Sequence, residues 1–162
     1  MMRQFLAPVA LLLFTASCNS SYDKKYVPKE NHERQTIRFM ELGYGIGTPN
    51  SDHSEFTIKE PVDTIPLELG KEFGVRYSLE SNFDEEVTIQ TVWTFPDSMI
   101  NAEEGGEKHI YLPRNKTVQP NESRFTAYIL EEKTELIPGK WFLSIYYEGK
   151  LLYRKVFFLK NK

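Results

Sequence analysis

A hydrophobic period of two, held in short runs and interrupted by proline and glycine, constrains this chain more than any other feature. Such alternation puts one face of a segment on a core and the other toward water, which is the signature of a half-buried β-strand. Ile37, Phe39 and Glu41 alternate with Arg38, Met40 and Leu42 up to Gly43-Tyr44-Gly45, which reads as a breaker. Phe73, Val75, Tyr77 and Leu79 share one face of a second segment. Val87 to Phe95 is a β-branched and aromatic run ended by Pro96, His109 to Leu112 is a short candidate, and Phe125, Ala127 and Ile129 alternate in another. Trp141 to Tyr147 and Leu151 to Leu159 form a closing hairpin over Glu148-Gly149-Lys150. No stretch keeps a helical period over a useful length. Ser98 to Lys108 can begin a helical turn, but Gly105-Gly106 stop it. About seven short strands at this spacing predict an all-β fold: an antiparallel two-sheet sandwich spanning residues 36–162. It is immunoglobulin-like in architecture only, because the Cys–Trp–Cys signature of antibody-type domains is absent.

The first eighteen residues follow different rules. Arg3 precedes a continuous apolar run, Phe5 to Phe14, and then Thr15-Ala16-Ser17-Cys18. A run of about ten apolar residues is half of what crosses a bilayer, but it suits the central region of a secretion signal. The tetrapeptide resembles a bacterial lipobox, in which small residues admit the signal peptidase and the cysteine thiol becomes the thioether to diacylglycerol. Residues 1–17 are therefore expected to be a lipoprotein signal peptide, with Cys18 the lipidated residue. Two or three acyl chains anchor a protein essentially permanently, at roughly 0.8 kcal/mol per buried methylene. Asn19, where aspartate would be a retention signal by enteric sorting rules, favours the outer membrane. The rest of the 18–35 segment is polar and broken by Pro28, so it reads as a flexible tether reaching roughly 20–25 Å on average.

Charge and composition narrow the function classes. The chain carries 20 basic and 23 acidic residues, and cleavage before Cys18 removes one of the basic ones. A mildly acidic domain lacks the electrostatic footprint that phosphate-backbone binding requires, so nucleic acid is not an expected partner. One cysteine excludes an intramolecular disulfide framework and a cysteine-based zinc site. Of the three histidines, His32 lies in the tether. His53 stands in Asp52-His53-Ser54-Glu55, a polar loop without a second ligand cluster, and His109 stands near Glu103, Glu104 and Glu107 beside two glycines. No metal, cofactor or catalytic residue is assigned from these patterns, since neither a nucleophile elbow nor a phosphate-binding glycine loop is present.

Several motifs occur in order: Tyr44-Gly45-Ile46, Ile65-Pro66, Leu69-Gly70 with Phe73-Gly74, Phe95-Pro96, Glu135-Leu136-Ile137-Pro138-Gly139-Lys140-Trp141, and Leu151 with Phe157. This series resembles a small bacterial family catalogued only as a domain of unknown function, over about residues 42–159. The resemblance implies an envelope-type β-sandwich and carries no activity. The residues themselves have structural roles to fill. Pro138 and Gly139 suit a tight entry into the Trp141 strand, Gly70 and Gly74 suit a turn and a close backbone approach, and Trp93 and Trp141 suit the space between the sheets.

The function expected from this sequence is a non-enzymatic, lipid-anchored cell-envelope module that binds a protein partner. A glycan or small-ligand domain exploiting nine tyrosines and eleven phenylalanines is the alternative, and an enzyme with a loop-borne site comes third. The closing hairpin is the one place where a binding surface is located. A two-residue Glu148-Gly149 turn puts Trp141, Leu143, Ile145 and Tyr147 with Leu152, Val156 and Phe158 on the core side. Phe142, Tyr146, Tyr153 and Phe157 then make an outward aromatic patch beside Leu151.

Overall fold

The computed structural model describes residues 35–100 and 108–161. Its nine strands are β1 (Ile37–Pro49), β2 (Phe56–Glu60), β3 (Thr64–Pro66), β4 (Glu72–Ser81), β5 (Val87–Ile100), β6 (Lys108–Val118), β7 (Ser123–Ile129), β8 (Gly139–Tyr147) and β9 (Lys150–Lys160). A four-stranded sheet in the order β2-β1-β4-β7 faces a five-stranded sheet in the order β3-β9-β8-β5-β6. The expected all-β sandwich is therefore present, with nine strands in place of about seven. The two extra strands are short, β2 with 5 residues and β3 with 3, too few to establish a period. β3 also breaks the antiparallel rule by pairing in parallel with β9, Ile65 opposite Leu159.

Gly43-Tyr44-Gly45 does not end the first strand. The pairing of β1 with β4 shifts register between Glu41 and Gly43, leaving Leu42 as the extra, exposed residue. A bulge of this kind bends a strand without terminating it. Beyond it β1 runs on to Pro49, still pairing Tyr44 with Val75 and Gly45 with Gly74.

Between the sheets lies an aromatic core. Phe73, Trp93, Phe95, Tyr128, Trp141 and Phe157 are all buried. They meet mostly edge to face, with Phe95–Trp141 centroids 4.6 Å apart, Phe73–Phe157 5.1 Å and Tyr128–Trp141 5.2 Å. Such pairs add about 0.5–1.5 kcal/mol each beyond the area they bury. The Phe73–Leu79 alternation is core-facing as expected, whereas on β7 the inward residues are Thr126 and Tyr128 and the outward ones Phe125 and Ile129. Gly74 explains how β7 comes so close to β4: a Cβ there would sit 2.3 Å from the Thr126 carbonyl oxygen and 2.6 Å from the Ala127 Cα.

The Glu135–Trp141 motif joins β7 to β8. A single 3-10 turn, Lys133–Glu135, is closed by the buried Glu135 carboxylate, which accepts hydrogen bonds from the Glu131 and Glu132 amides at 2.6 and 3.0 Å and from the Tyr128 hydroxyl at 2.8 Å. Trp141 Nε1 donates to the Ile137 carbonyl at 3.0 Å. The motif thus fixes one end of the sandwich, as its structural reading requires.

Candidate functional site

The closing hairpin corrects its own expected register. Its turn is the two-residue Glu148-Gly149, both at positive φ, which matches the right-handed strand twist. One step later the pairing slips: Tyr146 opposes Leu151, but Ile145 opposes Tyr153. Leu152 is the inserted residue, and every β9 side chain beyond it changes face. Phe157 consequently pairs with Trp141 and is 0% exposed, and Tyr153 points between the sheets. The four residues singled out in the sequence are not one patch.

Phe142 and Tyr146 do remain on the outer face of the five-stranded sheet. Their companions there are set by register: Tyr111, Thr94, Phe142 and Val156 lie in one row across β6, β5, β8 and β9. The neighbouring row brings Val92 beside Ser144 and Arg154, and Arg154 Nε donates to Ser144 Oγ at 3.1 Å. Phe142, Tyr146, Val156 and Phe158 are half-buried and Tyr111 is 55% exposed. The charged residues sharing these outward positions on β8 and β9 are Lys140, Arg154 and Lys160, all cations.

Tyr153 belongs to the edge where β1 meets β9. Its ring stacks on Phe39 at 4.2 Å, and Phe39 stacks in turn on Tyr77 at 5.0 Å. The Tyr153 hydroxyl donates to the Glu41 carboxylate. Burial, and then Glu41, hold this phenol well above its ordinary pKa.

The opposite edge, where β6 faces β7, is built differently. In β5, Ile89, Thr91 and Trp93 are inward and buried, and they pair with Lys116, Arg114 and Leu112 of β6. Residues directly opposite in an antiparallel pair share a face, so two cations of an edge strand lie on its inner side, Lys116 half-buried and Arg114 still exposed to solvent. By the same rule Tyr77, Val75 and Phe73 of β4 turn Arg124, Thr126 and Tyr128 inward on β7. Between the two strands opens a cavity of about 260 Å³, lined by Trp93, Leu112, Arg114, Lys116, Thr126 and Ile129, with Glu131, Glu132 and Glu135 at one end. A second hollow, reached past Lys116, is lined by Tyr77, Arg124, Glu86 and Gln119. Thr126 Oγ1 and Tyr77 Oη are buried without a hydrogen-bond partner. Burial raises the Tyr77 pKa and the nearby Thr126 hydroxyl opposes that rise, yet no hydrogen bond of good geometry joins the two. Burial, and secondarily Arg114, push the Lys116 ammonium below its usual range.

This edge is hidden in the sequence because the His109–Leu112 candidate runs on into Pro113 and charged residues, which look like a loop. The signal that exposes it is the continuation of period two through Leu112, Arg114, Lys116 and Val118, an alternation in which cations take inner-side positions. The Asp52–Glu55 segment is a solvated turn, as expected: Ser54 donates to Asp52 Oδ1 from its hydroxyl at 2.8 Å and from its amide at 3.1 Å, which lowers the Asp52 pKa. Among the described residues no group of three or more His, Cys, Asp or Glu side chains is placed to hold a metal, and no helix is long and apolar enough to cross a membrane. The expected signal peptide (residues 1–17), Cys18, residues 19–34 of the expected tether with His32, and Glu103, Glu104 and Glu107 lie outside the described residues.

Comparison with known proteins fits this geometry. No curated protein matches the sequence. An immunoglobulin-like protein from Pseudomonas aeruginosa is structurally similar, with a TM-score of 0.61 and 23% identity, covering 77% of this chain and 97% of that one. A weaker likeness, TM-score 0.40 and 12% identity, is to the alkylpurine DNA glycosylase AlkC of Pseudomonas fluorescens, covering 76% of this chain and 30% of that one. The family described as Domain of unknown function (DUF3859) matches residues 44–159, so this chain, an all-β two-sheet sandwich of immunoglobulin-like fold, belongs to that family.

Proposed function

We propose that this chain is an exported, lipid-anchored module of the bacterial cell envelope that acts by binding a protein partner and not by catalysis. Export and anchoring rest on the apolar run before Cys18 and on the polar tether after it. Asn19 favours the outer membrane. The observation that carries partner binding is the outward row Tyr111–Thr94–Phe142–Val156, flanked by Tyr146 and Phe158. Aromatic and aliphatic side chains half-open to water on a regular sheet face are the composition of an interface centre. Lys140, Arg154 and Lys160 give that face a cationic surround, which fits a partner with an apolar centre and an acidic rim.

The test uses the full lipidated chain in its own envelope, with a photo-crosslinking residue in place of Tyr146. A discrete protein adduct is expected, lost in Phe142→Glu while the melting temperature changes by only a few degrees. An adduct indifferent to Phe142→Glu, or one formed with lipid in place of protein, overturns the reading. Intact mass decides the anchor separately: the mature chain should carry acyl groups on Cys18, and an unmodified cleaved mass excludes them.

A further inference from the structure

We propose that the seam between β6 and β7 binds a small organic monocarboxylate, its carboxylate held by Lys116 Nζ and Thr126 Oγ1 and its apolar body lying on Trp93 and Leu112. This site is on the opposite edge from the β9 aromatics and does not depend on the protein-partner reading.

Three observations converge on it. The first is direction. Arg114 and Lys116 stand opposite the buried Thr91 and Ile89 on the inner side of β6, and Lys116 is half-buried there. Inward charges on an edge strand can serve merely to discourage pairing with another chain, and that accounts for the cations. It does not account for the second observation, on the facing strand. Thr126 is 2% exposed, lines the cavity, and its hydroxyl has no partner. A buried hydroxyl left unsatisfied is costly, so such groups in native proteins call for an explanation, and a ligand acceptor supplies one. Third, Lys116 has no ion-pair partner among the described residues, although Glu131 and Glu132 stand at the end of the same cavity. A donor pair, one cationic and one neutral, thus faces a cavity whose floor is indole and leucine.

The charge balance selects the class of anion. Arg124 is already paired with Glu122, and Glu86, Glu131 and Glu132 line the two hollows. One unpaired ammonium matches one carboxylate. A phosphate dianion would bring a second negative charge toward these carboxylates, and the other cation of the cavity lining, Arg114, is exposed to solvent and already engaged. The volume of about 260 Å³ lies below the roughly 300–1,000 Å³ of drug-sized sites, so the ligand is small. Glu135 takes no part, since its carboxylate is committed to Tyr128 and the 3-10 turn.

The experiment titrates the full mature chain, purified in detergent, with phenylacetate and hexanoate, following tryptophan fluorescence and calorimetry. Phenylacetamide serves as the neutral isostere and inorganic phosphate as the competing oxyanion. Saturable binding of a carboxylate is expected, with phenylacetamide at least tenfold weaker, about the factor that a charge-assisted hydrogen bond contributes. Thr126→Val and Lys116→Met should each weaken binding about tenfold or more while the fold keeps or raises its melting temperature. Phe142→Glu, on the outer face, should leave it unchanged, which separates this site from the proposed partner surface. Equal binding of phenylacetamide, retention of affinity in Lys116→Met, preferential binding of phosphate, or no saturable binding of either carboxylate would each overturn the proposal.

Discussion

The two long edges of this sandwich solve the same problem in opposite ways. Where β1 meets β9, rings of Phe39, Tyr77 and Tyr153 stack across the gap, and the one polar atom that Tyr153 brings there is satisfied by Glu41. Where β6 meets β7, the facing side chains are cations and hydroxyls, and Thr126 Oγ1 and Tyr77 Oη go without a partner. The first edge is sealed by apolar area and a completed hydrogen bond. The second keeps a cavity and two unpartnered hydroxyls, which cost stability. Tyr77 spans the contrast: its ring belongs to the sealed stack and its hydroxyl to the polar hollow.

Phe157→Ala offers the largest test of this division. Phe157 sits on β9 against Phe73 and Trp93, so its truncation should cost about 3–5 kcal/mol. Chemical denaturation measures it, and a loss under about 1 kcal/mol would return Phe157 to the surface. Tyr153→Ala comes next. The ring is half-buried and hydrogen-bonded, and a cost of about 2 kcal/mol is expected from lost stacking and one lost hydrogen bond. A neutral result would mean that the sealed edge is not sealed by this stack.

The open edge should respond with the other sign. Lys116→Met and Thr126→Val remove groups that burial penalises, so each should raise stability by about 1 kcal/mol in the same assay. A clear destabilisation by either would show that these side chains have partners in the folded chain, and the comparison between the edges would fail.

Alkaline titration gives the smallest and most specific effect. Lys116 is held below the ordinary 10.5 by burial and then Arg114. Its charge therefore penalises the folded chain at neutral pH, and the penalty fades as pH rises through the folded pKa toward 10.5. Tyr153 is raised by burial and then Glu41. Its stabilisation is intact below the unfolded pKa of about 10 and is lost as pH rises beyond it. The advantage of Lys116→Met over wild type should accordingly shrink between pH 7 and 10.5, while the deficit of Tyr153→Phe should shrink only above pH 10. A Lys116→Met difference that stays constant from pH 7 to 10.5, or a Tyr153→Phe difference that stays constant above pH 10, would contradict the corresponding assignment.

The strands with long alternation were legible before any fold was known. Phe73 to Leu79 and Val87 to Phe95 bury the side chains that their period marks, and Trp93 and Trp141 fill the core as their size predicts. The Glu135–Trp141 motif was visible too, and its structural role was legible in Pro138 and Gly139. The faces of β9 were not. The two-residue turn is legible in Glu148-Gly149, but a bulge at Leu152 carries no signature in residue type, and one inserted residue reverses every later side chain. The candidate cavity was equally hidden, because Arg114 and Lys116 look like solvent-facing residues until the partner strand is known.

The sequence alone determined the period and punctuation of the strands, and so the all-β class, because alternation and turn chemistry are local properties of neighbouring residues. The proposed export signal ending at Cys18 also rests on sequence alone, on the length and apolarity of the run before it. Only tertiary structure decided which strands became edges, where the register slipped, and that Thr126 and Lys116 would face each other across a gap. Those depend on which strands lie beside which, and pairing energies between segments dozens of residues apart are not written in the order of either one.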